Sequence, residues 1–405
     1  MELKTNILCD KPCDKPWDNI KLFKRNIILD FELHSVQIQH IQSEEEIILH
    51  KYRNRINEYE VNLPIQTNWE YYKKVVNPYE LVYTQKKYDN FPDSIYSLKP
   101  LSRSYFKMIE MLDLIHFFNG QEQVKSAHVC EGPGGFIEAL FDEANKKNKK
   151  MKMSIAMTLK SKQTNVPGWK KAAQFLKRNK CIRILYGEDD TGNIIKPINQ
   201  QYFIDYCNNP VCGKVTIFTA DGGFDFSYDY ENQEQLIFPL LVASTKIGFE
   251  VLKKDGIFIL KLFDFYHKYT LDLLYFLSCY FTEWTLYKPA TSRPCNPEQY
   301  FIGKGFTECS EEVFDVLRLW CSILETNPLE SLLKTENEEF KVIINELRKK
   351  SFLSQINYLE KVFNMIDQND DSVINTYLKN NEKSSYEWCV RFKVPIHQEF
   401  NLGIT

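Results

Sequence analysis

An α/β chain, with a mostly parallel sheet covered by helices on both faces, is what this sequence predicts, and three observations carry the prediction. Short apolar segments recur through the middle of the chain, separated by helical or loop stretches. A Gly-rich turn, Cys130–Phe136, follows one of them, and a second turn, Thr219–Phe224, follows another. Strands alternating with helices imply parallel pairing, because parallel neighbours need a crossover between them. With 405 residues, 43% hydrophobic and 14% aromatic, the chain can bury one large core and carry appendages.

Residues 1–95 are rich in Asn, Lys, Tyr and Glu, are interrupted by Pro12, Pro16, Pro64, Pro78 and Pro92, and read as an N-terminal extension. Its Pro-free middle offers one helix, opened by the capping-box pair Ser43 and Glu46 and carried by Ile48, Tyr52, Ile56 and Tyr59. Tyr105, Met108, Ile109, Leu112, Ile115 and Phe118 recur at helical spacing, predicting an amphipathic helix over Ser102–Phe118 that presents Lys107 near its start. Strands are predicted at Ala127–Cys130, Met153–Met157, Cys181–Leu185, Val215–Ala220, Gly256–Leu262, Trp284–Tyr287 and Tyr300–Ile302, with a buried helix over Leu273–Phe281. Residues 96–309 form the predicted α/β domain. Residues 310–405 form a helical C-terminal region, with helices over Val313–Leu324, Phe340–Leu347 and Ile356–Ile366.

Fifty-one Lys and Arg stand against 54 Asp and Glu, so binding to a polyanion must come from a local patch, and a strongly basic RNA coat protein is disfavoured. The eleven cysteines include no Cys-x-x-Cys pair, and the closest two, Cys9 and Cys13, lie in a tandem Cys-Asp-Lys-Pro duplication; they read as reduced thiols, with no metal site expected. Met1–Thr5 lacks a signal-peptide pattern, and no apolar run approaches the roughly 20 residues that span a bilayer. The expectation is a soluble chain with no membrane partner, cytoplasmic or nuclear, or in host cytoplasm or virion if viral.

The segment Val129-Cys130-Glu131-Gly132-Pro133-Gly134-Gly135-Phe136 ends one predicted strand and opens a helix over Ile137–Ala144. Glycine there lets backbone approach a ligand closely. The spacing matches neither the dinucleotide fingerprint nor a phosphate-binding P-loop. An acidic residue before the glycines suits a ligand that is cationic at one end, as the ammonium and sulfonium of S-adenosylmethionine are, and Glu131 meets that need. Asp221, followed by Gly222 and Gly223, offers a second carboxylate. Both turns are expected at the carboxyl ends of the strands, where strand order reverses.

Five segments in order resemble the FtsJ-type ribose 2′-O-methyltransferases, and in particular the mRNA cap 2′-O-methyltransferases of eukaryotes and large DNA viruses. They are Ser102–Met108, Cys130–Phe136, Ala220–Phe224, Leu260–Asp264 and Thr291–Tyr300, within a resemblance running from Leu101 to Gly305. It implies a Rossmann-like methyltransferase sheet of order 3-2-1-4-5-7-6 with strand 7 antiparallel, and S-adenosylmethionine as cofactor. The family's Lys-Asp-Lys-Glu catalytic set falls on Lys107, Asp221, Lys261 and Glu298. Cofactor contacts fall on Glu131, Gly132, Pro133, Gly134, Gly135, Phe136 and Asp221. The segment after the second strand, Met157–Lys160, departs from related methyltransferases in having no acidic residue for the ribose, and Thr158 takes that place as a candidate.

Lys261 interrupts an apolar strand, where a charge needs a partner. It is the expected base for the ribose hydroxyl, its pKa lowered by burial and by Lys107. Asp221 would orient its ammonium group and Glu298 would hold the two lysines in register. Arg103, Lys288 and Arg293 are the first choices for RNA phosphate contact, followed by Lys160, Lys162, Lys170 and Lys171. The readings carried forward are a cap 2′-O-methyltransferase acting on capped mRNA, a ribosomal or transfer RNA 2′-O-methyltransferase, and a catalytically silent RNA-binding scaffold. The C-terminal region is a possible docking surface for a protein partner.

Overall fold

The computed structural model describes residues 15–18, 20–26, 34–35, 42–62, 69–84, 91–161, 166–223, 232–324, 330–331 and 337–401. Phe224, Lys162 and residues 9–14 of the Cys-Asp-Lys-Pro duplication, singled out above, lie outside them. The strands are β1 (Phe23–Lys24), β2 (His34–Ser35), β3 (Gln123–Val129), β4 (Lys150–Met157), β5 (Ile182–Leu185), β6 (Val215–Ala220), β7 (Leu252–Leu262), β8 (Phe281–Tyr287), β9 (Gln299–Phe306) and β10 (Glu330–Ser331). The helices are α1 (Glu44–Asn62), α2 (Trp69–Val75), α3 (Ser104–Leu114), α4 (Gly135–Lys146), α5 (Ala173–Arg178), α6 (Pro197–Asn208), α7 (Gln233–Val251), α8 (Lys268–Ser278), α9 (Glu311–Ile323), α10 (Glu338–Gln368), α11 (Asp371–Arg391) and α12 (Gln398–Asn401).

The main sheet runs β5-β4-β3-β6-β7-β9-β8-β1, and β10 pairs with β2 separately. Pairing is parallel from β5 to β7 and antiparallel on both sides of β9. Counted from β3, seven strands follow the expected 3-2-1-4-5-7-6 order with the seventh antiparallel. The detail that differs is an eighth strand. β1, from the N-terminal segment, pairs antiparallel with the edge of β8. Phe23 packs on Trp284 with ring centroids 5.0 Å apart, and the Trp284 indole donates to the Lys24 carbonyl at 3.1 Å. An open edge presents unpaired backbone groups, and this short strand covers part of that edge, at Glu283 and Trp284.

Strands β3 and β6 are buried on both faces, as parallel strands between helical layers must be. One layer is α6, α7, α8 and α9. The other holds α3 and α4 together with α1, α2, α10 and α11 in one continuous apolar core, so segments from both ends of the chain pack beside the helix that carries Lys107. The expected capping box at Ser43 forms in part: the Glu46 amide donates to the Ser43 hydroxyl at 3.2 Å.

Three helix expectations are corrected. Leu273–Phe281 is helical only to Ser278, and Phe281 opens β8. Phe340–Leu347 and Ile356–Ile366 are parts of the single helix α10, because Arg348–Gln355 between them holds no Gly or Pro and buries Phe352. α11 escaped detection because its buried stripe, Ile374, Leu378, Asn381, Ser385 and Trp388, is polar at two positions. Those two side chains cap loose backbone: Asn381 donates to the Val75 carbonyl at 2.6 Å and Ser385 to that of Pro78 at 3.2 Å.

Within the sheet, fully buried His128 bridges Thr219 (2.7 Å) and Ser126 (2.8 Å), and Ser126 reaches Ser154 at 2.5 Å. Burial pushes the imidazole pKa down to about 3. The unfolded chain, with its histidine near 6.5, therefore binds the extra proton first, and stability should fall as pH drops below about 6.5. Between pH 7 and 5 this site should contribute roughly 2 kcal/mol of loss. His128→Gln should flatten that part of a urea-denaturation pH series, and an unchanged slope would refute the assignment.

Candidate active site

The strand order reverses between β3 and β6, the neighbours at the sheet's centre, and their exits diverge to open a cleft. Val129 pairs with Ala220 at the last step of the ladder, which brings the Cys130–Phe136 and Asp221–Gly223 turns side by side. In the first turn the Gly134 amide donates to the Glu131 carbonyl at 2.6 Å, and Gly134 has φ 105°, a left-handed conformation that favours glycine. A β-carbon on Gly132 would stand 2.4 Å from the Pro167 carbonyl oxygen. One on Gly135 would stand 2.2 Å from the hydroxyls of both Ser102 and Ser104, so this glycine lets α4 approach the start of α3.

Glu131 is buried, and one of its oxygens accepts the Phe136 amide at 2.8 Å. Its other oxygen has no partner among the described residues, nor has the buried indole nitrogen of Trp169, whose ring lies against Gly134. Burial, followed by the charge of Asp221, raises the Glu131 pKa well above its usual value. A buried carboxylate with an idle oxygen in a glycine cradle fits a ligand that carries positive charge.

The four residues assigned as a catalytic set converge. Lys107 of α3 pairs with Glu298 at 2.6 Å. Lys261, at the exit of β7, lies 3.3 Å from an Asp221 oxygen, 3.6 Å from a Glu298 oxygen and 3.3 Å from the Asp221 carbonyl. The result is a chain of alternating charge, Lys107–Glu298–Lys261–Asp221, mostly shielded from water. Tyr300, fully buried on β9, donates to the Asp221 carboxylate at 2.9 Å, and Ser292 donates to Glu298 at 2.9 Å.

One expectation fails here. Lys261 was to have a lowered pKa, but although burial pulls it down, Asp221 and Glu298 outweigh burial and raise it above the ordinary lysine value. Glu298, opposed by burial but flanked by Lys107, Lys261 and Lys288, is held well below the usual carboxylate range. Beside Glu298, Lys288 has a lowered pKa, which burial brings down to about 8 against the pull of Glu298.

The three cations read as first choices for phosphate contact are each engaged inside the protein. Lys288 donates to the carbonyls of Asn296 (2.5 Å) and Glu298 (2.9 Å). Arg293 makes a two-pronged contact with buried Glu80 at 3.0 and 2.9 Å. Arg103 lies 3.6 Å from the same carboxylate and donates to the carbonyls of Tyr83 and Thr291. These contacts shape the loop between β8 and β9 that carries Glu298.

Thr158 is buried, and the turn it starts is covered by the loop after β5. The Lys160 amide donates to the Thr191 carbonyl at 2.7 Å, and a β-carbon on Gly192 would stand 2.0 Å from the Thr158 carbonyl oxygen. That loop carries Glu188, Asp189 and Asp190, an acidic cluster one strand beyond the place left without an acid after β4, with Asp189 held by Thr191, Lys196 and Asn199 and Asp190 by Lys160. The Gly-Glu-Asp-Asp run directly after Leu185-Tyr186 was the sequence signal for it. Glu110, with no local pattern to mark it, is a fully enclosed acid amid the apolar residues of α3.

The profile of FtsJ-like methyltransferases matches residues 100–306. The chain is 31% identical over 186 residues to Cap-specific mRNA (nucleoside-2′-O-)-methyltransferase 2 of Drosophila melanogaster, covering 44% of this chain and 26% of that protein. It is 33% identical over 196 residues to Cap-specific mRNA (nucleoside-2′-O-)-methyltransferase 1 of Xenopus laevis, covering 47% and 22%. With "Probable methyltransferase EP424R" of African swine fever virus it shares 25% identity over 307 residues, 70% of each chain. The chain thus spans about a quarter of the two animal proteins. The matched profile begins just before the helix that carries Lys107 and ends on the strand that follows Glu298, enclosing the whole cleft and about half the residues, and on that ground the chain belongs to the FtsJ-like methyltransferase family.

Proposed function

We propose that this chain is an S-adenosylmethionine-dependent RNA ribose 2′-O-methyltransferase acting on the cap-proximal nucleotide of mRNA. The observation that carries the reading is the alternating chain Lys107–Glu298–Lys261–Asp221 set beside a glycine cradle with an idle buried carboxylate. When bound, S-adenosylmethionine supplies an electrophilic methyl group. Glu131 would hold the ligand's ammonium group, with Gly132, Pro133, Gly134, Gly135 and Phe136 shaping the contact surface and Thr158 and the Asp189–Asp190 loop bordering the far end.

Lys261 would direct its Nζ at the ribose 2′-hydroxyl and take its proton once its own has left. Asp221 and Glu298 hold that ammonium group from two sides, and Lys107 holds Glu298. Most of the acceleration would come from fixed near-attack geometry, which contributes strongly when two reactants must meet in line. RNA is the proposed partner, and the division into residues 1–95, 96–309 and 310–405 is kept as a functional proposal, the middle part carrying the chemistry. Among the described residues no helix is long and apolar enough to cross a membrane.

The relatives named for cap-specific activity favour capped mRNA over ribosomal or transfer RNA. The test is methyl transfer to two RNAs of one sequence, with and without a 5′ cap. Transfer restricted to capped RNA is expected. Equal transfer to both would favour the alternative substrate, and no transfer to either, with cofactor bound, would favour a silent scaffold.

A further inference from the structure

Glu110 lies one turn after Lys107 on α3, is 1% exposed, and accepts five hydrogen bonds. One oxygen receives the Thr291 amide (3.0 Å), the Thr291 hydroxyl (2.7 Å) and the Trp388 indole (3.1 Å). The other receives the Tyr287 hydroxyl (2.7 Å) and the Ala290 amide (2.6 Å). All five groups donate, which is the pattern a carboxylate satisfies and an amide does not. Tyr287 ends β8, Ala290 and Thr291 lie in the loop that runs on to Glu298, and Trp388 belongs to α11, outside the stretch matched by the family profile.

We propose that Glu110 is a positioning residue for the Lys107–Glu298 pair: it ties the helix bearing the lysine to the loop bearing the glutamate, with α11 as the third member of the joint. The inference rests on the methyltransferase reading above. Lys107 and Glu298 meet at 2.6 Å, and Glu298 in turn reaches Lys261, so a shift of α3 against the loop moves the charge beside the reacting hydroxyl. Glu80 holds the same loop through Arg103 and Arg293, and Thr291 is held at its amide and hydroxyl by Glu110 and at its carbonyl by Arg103. The cofactor cradle is built on other strands' exits, so the joint should govern the chemical step and spare cofactor binding.

The test compares the full-length parent with Glu110→Gln and Thr291→Val, the second removing one hydroxyl at nearly constant shape. Single-turnover methyl transfer is measured at saturating RNA and S-adenosylmethionine, with cofactor affinity by calorimetry and melting temperature alongside. Glu110→Gln should slow the step roughly 10–100-fold, as a displacement of about 1 Å does, with cofactor affinity little changed; Thr291→Val should lose less in the same direction. A parental rate in folded Glu110→Gln overturns the proposal. So does a fall in rate, affinity and melting temperature together in both variants, the mark of a merely structural role. If Glu110→Gln does not fold, Thr291→Val decides, and a parental rate there overturns the proposal. A parent that binds cofactor but transfers no methyl group to any RNA would instead sink the methyltransferase reading itself.

Discussion

Replacing Lys261 by methionine is expected to slow methyl transfer by about 10²–10⁴-fold, the usual contribution of a positioned acid or base, while S-adenosylmethionine affinity changes little. Lys261 contacts two carboxylates and a carbonyl at the exit of β7, and the idle acceptor for the ligand's positive end is Glu131, on another strand's exit. Because Asp221 and Glu298 raise its pKa, Lys261 carries its proton at neutral pH in the ligand-free protein. If it is the base, the single-turnover rate should climb about tenfold per pH unit through pH 8–10 without levelling, since the neutral amine is the scarce form there. Lys107→Met should remove the closest competitor of Lys261 for Glu298, hold the proton more tightly and lower the rate at each pH. Lys261→Arg separates two roles, because arginine keeps the charge but does not release a proton. It is expected to be as slow as Lys261→Met. Near-parental turnover by the arginine variant would assign Lys261 the task of a fixed cation and remove it as the base.

Glu131→Gln is expected to weaken S-adenosylmethionine binding by roughly 10–100-fold, the loss expected for a hydrogen bond to a charged group, and at the same time to raise the melting temperature of the ligand-free protein. The two effects have one cause. The carboxylate is buried, keeps one oxygen without a partner among the described residues and faces Asp221, so its charge is poorly compensated until a cation arrives. Its folded pKa is raised, so the folded state holds a proton that the unfolded chain releases, and stability is lost as pH rises from about 4.3 towards the folded value. Glutamine removes that loss and the attraction together. Binding of the cation should expel the proton, so parent affinity should improve as pH rises, and calorimetry in two buffers of different ionisation enthalpy should register proton release. Unchanged affinity in Glu131→Gln, or no proton release in the parent, would count against Glu131 as the ammonium site. Gly135→Val should also impair the cleft, through a clash with Ser102 and Ser104 that pushes α3 off α4.

Strand positions β3 to β9 could be read from the sequence because parallel strands buried on both faces are written as short continuous apolar runs. The ends were short by a few residues where the runs turn polar, as at Gln123 and Lys150. Lys261 stood out because it breaks such a run. α11 did not, since its buried stripe contains Asn381 and Ser385, whose burial makes sense only once the Val75 and Pro78 carbonyls are beside them. Glu110 was hidden for the same reason: its five donors come from residues 177 to 278 positions away.

What the sequence carried by itself was therefore the run of strands and the two Gly-containing turns, which rest on local pattern, and, through the family resemblance, the sheet order and the grouping of Lys107, Asp221, Lys261 and Glu298 proposed as the catalytic set. What only the tertiary structure decided was the state of those groups and who holds them. Lys261 is held protonated by two carboxylates, Arg103 and Arg293 meet on Glu80, and α11 reaches Glu110 beside the site. The physical reason is that a charge takes its pKa and its orientation from the partners and the burial around it, and in this fold those partners arrive from both ends of the chain.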